Sequence, residues 1–127
     1  MNLEKVVFGF FVILALALNL GFVVGEPDNA GHHNVWLLFT ALMVGLITTG
    51  LKLGDRSHLG AIVLAASLVS NVLLMIALSM WAVTEGGMDR PPAPEMMVTI
   101  VSMAYGALAA NLTSVAILVS DTLISRR

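Results

Sequence analysis

The sequence predicts an all-α, polytopic membrane protein with four transmembrane helices and both termini on the cytoplasmic side. Hydrophobic residues make up 58% of its 127 residues and charged residues only 11%, against roughly 25% charged residues in a typical soluble domain. The apolar residues form four runs, each with about the 20 residues that a helix needs to cross the ~30 Å hydrocarbon core. Because that core offers no water to backbone amides, each run has to be helical. The predicted spans of this single four-helix transmembrane domain, residues 1–127, are residues 6–25, 35–53, 59–83 and 96–124.

Three short polar links join the spans and carry the residues that end helices. Between spans two and three, Gly54 suits the positive φ of a helix end, and Asp55 or Ser57 can cap the first amides of span three. A turn this short makes spans two and three antiparallel neighbours. The second outer loop, residues 85–94, contains two glycines that end span three and three prolines that precede span four.

The basic residues near the span ends indicate the orientation, because cytoplasmic loops carry an excess of Lys and Arg. The side predicted to be cytoplasmic holds Lys5, Lys52, Arg56, Arg126 and Arg127, whereas the opposite side holds only Arg90. Both termini are therefore expected inside the cell.

The predicted outer loops are acidic. They contain Glu85 and four further carboxylates that would attract cations to an outer mouth, namely Glu26, Asp28, Asp89 and Glu95. The alternative is that acidic outer loops are only what remains once basic residues are kept inside.

Aromatic and imidazole side chains lie near the predicted outer surface. Trp36 and Trp81 are at the outer ends of spans two and three, where we expect them to anchor the helices at headgroup depth. His32 and His33 follow the acidic residues of the first outer loop, but adjacent histidines diverge and their spacing matches no zinc pattern. We therefore expect a solvated loop without a metal ion.

Two asparagines lie near the centres of spans three and four. Asn71 and Asn111 should reach the same depth, and a buried amide without partners is costly in hydrocarbon. They either clamp the helices together, by bonding each other or a neighbouring backbone, or line a polar path. In span two, Thr48 and Thr49 are expected to be helical, with their hydroxyls bonded back to backbone carbonyls.

Span four carries two stripes of small and hydroxylated residues, which either pack against another helix or line a passage. The first stripe contains Thr99, Ser102, Gly106, Ala109, Thr113, Ala116 and Ser120. The second contains Ala107, Asn111, Ser114, Asp121 and Ser125. We expect neither stripe to face lipid.

Several function classes find no support in the sequence. There is no cysteine, which excludes disulfides, thiolate catalysis and Cys-ligated metals. The formal net charge of −2 and the lack of a basic cluster argue against nucleic acid as a partner. No Ser-His-Asp set, pair of intramembrane carboxylates or phosphate-binding glycine loop is present, so we expect neither an enzyme nor a protein with a metal or organic cofactor.

Three segments resemble a known family. They are residues 1–11, with the sequence MNLEKVVFGFF, the His-His pair before Asn34, and residues 52–61, with the sequence KLGDRSHLGA. In these segments the chain is similar to a family of small proteobacterial inner-membrane proteins catalogued as a domain of unknown function. The resemblance implies a multi-pass protein of the bacterial inner (cytoplasmic) membrane and assigns no functional residue.

Two functions are compatible with these observations. One four-helix bundle has no room for an aqueous pore along its axis, so the polar faces of spans three and four suggest association with other chains. The first hypothesis is a homo-oligomeric cation channel or cation-transport protein in the lipid bilayer. Its path would be lined by Asn71, Asn111, Thr113 and Ser114. The second is a non-catalytic accessory subunit of a larger membrane transporter or respiratory complex.

Overall fold

Four long helices dominate the computed structural model, which describes residues 3–53, 58–84 and 90–125. They are α1, Leu3–Val23; α2, Val35–Lys52; α3, His58–Ala82; and α4, Pro94–Ser125, with a short 3-10 helix, Ala30–His32, between α1 and α2. Each long helix begins and ends within three residues of its predicted span, and each is long and apolar enough to cross a membrane. The described ranges contain no strand. The predicted all-α fold with four candidate membrane spans is confirmed.

Local sequence explains where the helices begin and end. The Asn34 side chain accepts a 2.9 Å hydrogen bond from the backbone N–H of Trp36 and so caps the start of α2. Pro94 is the first residue of α4, a position where its missing N–H costs nothing. After α1 the chain turns at Gly25, whose φ of 102° is a conformation that other residues rarely adopt.

The four helices form a closed ring in chain order. The largest contact is between α3 and α4, and the pairs α1–α2, α2–α3 and α1–α4 complete the bundle. The predicted contact between spans two and three is therefore present. Because consecutive helices are joined by short links, they alternate in direction.

The apolar core occupies one half of the bundle, at the end that holds the α1–α2 link and is predicted to face outward. Its most deeply buried side chains are Phe22, Val23, Leu38, Leu74, Met97, Ile100 and Val101. Toward the opposite end, Ser114 is the last buried residue of α4 among those described, and no residue before Val12 in α1 is buried. In α1 and α4 the buried residues are thus confined to the outer part of the bundle, whereas α2 and α3 also bury Thr49, Gly60 and Val63 toward the inner end.

The two tryptophans occupy different environments. Trp36 is 60% exposed on the outside of the bundle, as an interfacial anchor should be. Trp81 is only 4% exposed, and its ring packs against Phe22 with 6.3 Å between ring centroids. The prediction of an interfacial anchor is wrong for Trp81, because its position on α3 turns it toward α1 rather than lipid.

Some sequence predictions lie outside the described residues. They concern Gly54, Asp55 and Ser57 in the inner turn, the glycines and acidic residues of 85–89, and the arginines at 126–127.

The predicted hydroxyl bonds in α2 are confirmed, since Thr48 Oγ1 donates to the Val44 carbonyl at 2.8 Å and Thr49 Oγ1 to the Gly45 carbonyl at 2.9 Å.

Candidate functional site

A small cavity with several polar side chains lies between all four helices, near the middle of each candidate membrane span. Its volume is about 10 Å³, which is at the lower limit of the space that one water molecule needs. Each helix contributes two of its lining residues, which are Val12, Ala15, Gly45, Thr48, Ser67, Asn71, Asn111 and Ser114.

Asn71 forms the contact between α3 and α2. Its Nδ2 donates to Oγ1 of Thr49 at 2.7 Å and to the carbonyl of Gly45 at 3.4 Å. Gly45 is needed for this close approach, because a Cβ at that position would collide with Oδ1 of Asn71. Asn71 therefore contacts α2 through its nitrogen, while its oxygen Oδ1 has no hydrogen-bond partner among the described residues.

Asn111 is held by a second amide, that of Asn19 in α1. In the orientation that satisfies both ends of its amide, Asn19 accepts from Nδ2 of Asn111 at 3.1 Å and from the backbone N–H of Leu108 at 3.0 Å. Its own nitrogen donates to the carbonyl of Ala104 at 3.0 Å. Asn19 is fully buried and makes three hydrogen bonds to α4.

Of the two clamps predicted for these amides, a bond to a neighbouring backbone is present for Asn71, whereas a bond between Asn71 and Asn111 is not among the described hydrogen bonds. Asn71 bonds to Thr49 and Gly45, whereas Asn111 bonds to Asn19. The two predicted amides share one cavity, but the described hydrogen bonds connect each of them to a different helix.

The structure brings together three of the four residues predicted to line a path. Asn71, Asn111 and Ser114 are buried and line the cavity. Thr113 does not line it, because this residue is exposed on the face of α4 that points away from the bundle, and its hydroxyl donates to the carbonyl of Ala109 at 2.9 Å. These polar groups face the interior of one chain, so the cavity does not require the pore between copies that the sequence suggested.

Sequence reasoning missed Asn19, Thr48 and Ser67 as members of this polar interior. Asn19 could have been found by the criterion that identified Asn71 and Asn111, since it is also an amide inside an apolar run. No sequence signal shows that Thr48 and Ser67 line the same cavity, because hydroxyl side chains are common in membrane helices and often bond only to their own backbone.

The acidic residues of the described outer loops lie at the end of the bundle that is predicted to face outward. Glu26, Asp28 and Glu95 are exposed, whereas Asp89 lies outside the described residues. Their predicted role in attracting cations stays a prediction.

The adjacent histidines use their ring nitrogens to bind the backbone of the first outer loop. His33 is 4% exposed, so the prediction of a solvated loop is wrong for this residue. Its Nδ1 lies 2.6 Å from the carbonyl oxygen of Phe22 and its Nε2 lies 2.9 Å from that of Glu26. The exposed His32 instead accepts at Nδ1 from the backbone N–H of Glu26 at 2.9 Å. Together the two rings fasten the end of α1 to the start of α2.

These features define a multi-pass membrane protein whose four helices enclose a polar cavity. The chain belongs to the family described as Family of unknown function (DUF6394), whose model matches residues 32–122. That range covers α2, α3 and most of α4, and it includes the His-His pair and residues 52–61. The resemblance noted from the sequence is thereby confirmed. No curated protein and no solved structure matches the chain.

Proposed function

We propose that this protein carries a monovalent cation across the membrane, with the cavity between Asn71, Asn111 and Ser114 as its binding site. The observation that supports this proposal is that two lining residues hold oxygen atoms, Oδ1 of Asn71 and Oγ of Ser114, without a partner among the described residues. A buried polar atom left in this state costs about 1–3 kcal/mol. A ligand that binds both oxygens recovers this cost.

The lining chemistry favours a monovalent cation over a divalent one. The polar atoms come from amide and hydroxyl side chains, and no carboxylate is among the lining residues. Protein sites for Ca²⁺ and Mg²⁺ use carboxylates to balance the double charge. Neutral oxygens instead replace the water shell of monovalent ions, as backbone carbonyls do in potassium channels.

The packing supports a carrier that binds one ion at a time, rather than an open channel. The outer half of the bundle is filled by buried apolar side chains such as Phe22, Leu38 and Met97. An ion that enters from outside therefore has to wait for a rearrangement that exposes the cavity. The acidic residues Glu26, Asp28 and Glu95 would raise the local cation concentration at that end.

The charge bias and the family resemblance support a place in the bacterial inner membrane, with this acidic end outward. The proposal includes no catalytic step and no cofactor. It is independent of copy number, and a homo-oligomer stays a prediction.

The transport proposal is tested by cation uptake into liposomes that hold the purified protein alone, with Na⁺ and K⁺ as the probes. The informative variant is Ser114→Ala, which removes one cavity oxygen. The loss of a hydrogen bond to a charged ligand costs about 1.5 kcal/mol. The rate of uptake at subsaturating ion concentrations should therefore fall roughly tenfold. The melting temperature should stay the same or rise, because the lost hydroxyl has no hydrogen-bond partner among the described residues.

Ser70→Ala is a closely matched control. Ser70 is also buried and its Oγ also lacks a partner among the described residues, but it does not line the cavity. Uptake by this variant should equal that of the wild type. Equal losses in Ser114→Ala and Ser70→Ala would remove the cavity from the proposal, and a wild-type protein that passes neither ion under any gradient or voltage would end it.

A second candidate function is that of a non-catalytic accessory subunit. It is favoured by the face of α4 that points away from the other three helices. Along this face the small or hydroxylated residues Thr99, Ser102, Ala109, Thr113, Ala116 and Ser120 are all exposed. The hydroxyls of Ser102 and Thr113 bond back to α4, which leaves a smooth surface suited to close helix packing.

The two candidates differ in what accompanies the protein out of the membrane. After extraction in mild detergent, a stoichiometric larger membrane protein that is lost in Ala109→Leu would support the accessory subunit. A chain that purifies alone and retains cation uptake would contradict it.

A further inference from the structure

Asn19 makes an unusual set of contacts with α4. Its amide binds the carbonyl of Ala104 and the backbone N–H of Leu108, each at 3.0 Å. These two backbone groups are four residues apart, so they are the acceptor and donor that close one turn of an α-helix. Asn19 offers each of these two groups a hydrogen-bond partner. It can therefore keep both of them satisfied when the turn opens and they no longer bond each other.

The same turn is weak in its own sequence. Gly106 lies at its centre, and glycine costs about 1 kcal/mol relative to alanine inside a helix. A Cβ at this position would lie 3.0 Å from Cδ1 of Leu73 in α3. Side chains inserted between helical backbone partners are also an established cause of bends. Residues 104–108 therefore have a low barrier to bending.

The packing on the two sides of this turn differs. On the outer side, Met97, Ile100 and Val101 are fully buried and hold α4 in the core. On the inner side, no residue described beyond Ser114 is buried. The inner half of α4 can therefore move while the outer half stays in place.

Movement at this turn would reach the cavity directly. The Asn19 oxygen that accepts from Leu108 also accepts from Nδ2 of Asn111, which lines the cavity. A swing of the inner half of α4 would carry Asn111 and Ser114 away from Asn71 and open the cavity toward the inner end.

We propose that Asn19 is the positioning residue of a hinge at Ala104–Leu108, and that this hinge opens the cavity to the inner side of the membrane. The proposal rests on the transport function proposed above, since it assigns the inner gate of the same site. Asn19 acts through α4 and Asn111 and is not among the cavity-lining residues.

The hinge is tested by distance measurements that do not depend on transport. The chain has no cysteine, so Val7→Cys and Val119→Cys place two spin labels on exposed positions at the inner ends of α1 and α4. Pulsed electron paramagnetic resonance should show two distance populations in the otherwise unchanged protein. Asn19→Leu removes the bridging amide, so opening the turn would leave both backbone groups without a partner, and one population should remain.

A second label pair serves as the control. Leu20→Cys and Val98→Cys report on the outer halves of the same two helices, at exposed positions, and their distance should be single and unaffected by Asn19→Leu. If Asn19→Leu fails to fold, Gly106→Ala stiffens the same turn and should also reduce the inner pair to one population. A single inner distance that neither variant changes would overturn the hinge.

Transport kinetics separate this role from a purely structural one. Asn19→Leu should lower the maximal rate of cation uptake at least tenfold with little change in the apparent KM. Ser114→Ala should instead raise the apparent KM. An Asn19→Leu protein that is less stable but transports at the wild-type rate would contradict the gate. Two populations in a wild-type protein that moves no cation would support the hinge and overturn the transport function alone.

Discussion

At the scale of single residues, Asn71 approaches the backbone of Gly45 closely in the polar interior. The amide of Asn71 donates to Thr49 and to the Gly45 carbonyl, and its Oδ1 lies against the Gly45 Cα. Only a residue without a side chain leaves room for this amide. The position of one cavity oxygen is therefore determined by a glycine on the facing helix.

Gly45→Ala should lower stability and displace Asn71. The added Cβ would collide with Oδ1 of Asn71, and overpacking of this kind costs about 1–3 kcal/mol. Thermal unfolding in detergent measures the loss. The matched control is Gly50→Ala, whose Cβ would meet no atom within 4 Å and whose higher helix propensity should leave the melting temperature equal or higher. Equal melting temperatures for the two variants would contradict the close contact.

The sequence indicated that the polar residues of the spans would be buried, but it did not show for each of them whether the side chain points into the bundle. Asn71, Asn111 and Ser114 were predicted because polar groups at midplane are costly in lipid. Thr113 was predicted with them although adjacent residues on a helix point about 100° apart. Both stripes of α4 are small and hydroxylated, so composition could not decide which one faces inward. That choice depends on α1 and α3: Ala107, Asn111 and Ser114 of the second stripe are buried, whereas the first stripe is exposed except at Gly106, which lies close to Leu73 of α3.

At the scale of the elements, the connection between α1 and α2 depends on His33. Its two ring nitrogens lie 2.6 Å and 2.9 Å from the carbonyl oxygens of Phe22 and Glu26, and in either tautomer one of them donates a hydrogen bond. The Phe22 carbonyl belongs to the last turn of α1, where no backbone donor follows in the helix. The ring thus caps α1 from a residue next to the start of α2.

His33→Phe should loosen this cap while keeping an aromatic ring beside Phe22, which now lies 5.6 Å from the imidazole between ring centroids. The loss of the hydrogen bond that the imidazole donates predicts a decrease of about 1 kcal/mol in the free energy of unfolding. Hydrogen exchange should accelerate for the amides of residues 23–26 in particular.

The comparison for this prediction is His32→Phe. His32 is exposed, and its Nδ1 accepts one backbone bond, so its replacement should cost less than about 1 kcal/mol. A larger loss in His32→Phe than in His33→Phe would reverse the roles assigned to the two rings.

The helices themselves were predictable, whereas their rotations were not. Hydropathy located all four to within three residues, because the thickness of a bilayer sets the length of an apolar run. The same reasoning placed Trp81 at the correct level along α3 but in the wrong environment. Its burial against Phe22 results from contact between α3 and α1, and no pattern within α3 predicts that contact.

At the scale of the whole molecule, the ring of four alternating helices places both described ends of the chain on one side. The ends of α1 and α4 without buried side chains, between which the proposed hinge would open, lie on that same side. In α4, 32 residues span about 48 Å at 1.5 Å per residue, well beyond the ~30 Å hydrocarbon core. An untilted α4 would therefore extend beyond the hydrocarbon core.

The orientation is predicted from the charge bias and is tested by reporter fusions. Fusions after Arg127 and near Ser57 should report a cytoplasmic position, because the basic residues Lys5 and Lys52 lie at the same end of the bundle. A fusion near Met88 should report an external position. To test whether the basic residues cause this orientation, Lys52 and Arg56 are replaced by Gln and new lysines are placed beside Arg90. This change should shift a fraction of the molecules to the opposite orientation. An external signal from the wild-type Arg127 fusion would reverse the proposed direction of opening and place the acidic residues Glu26 and Glu95 inside the cell, without altering the bundle or its cavity.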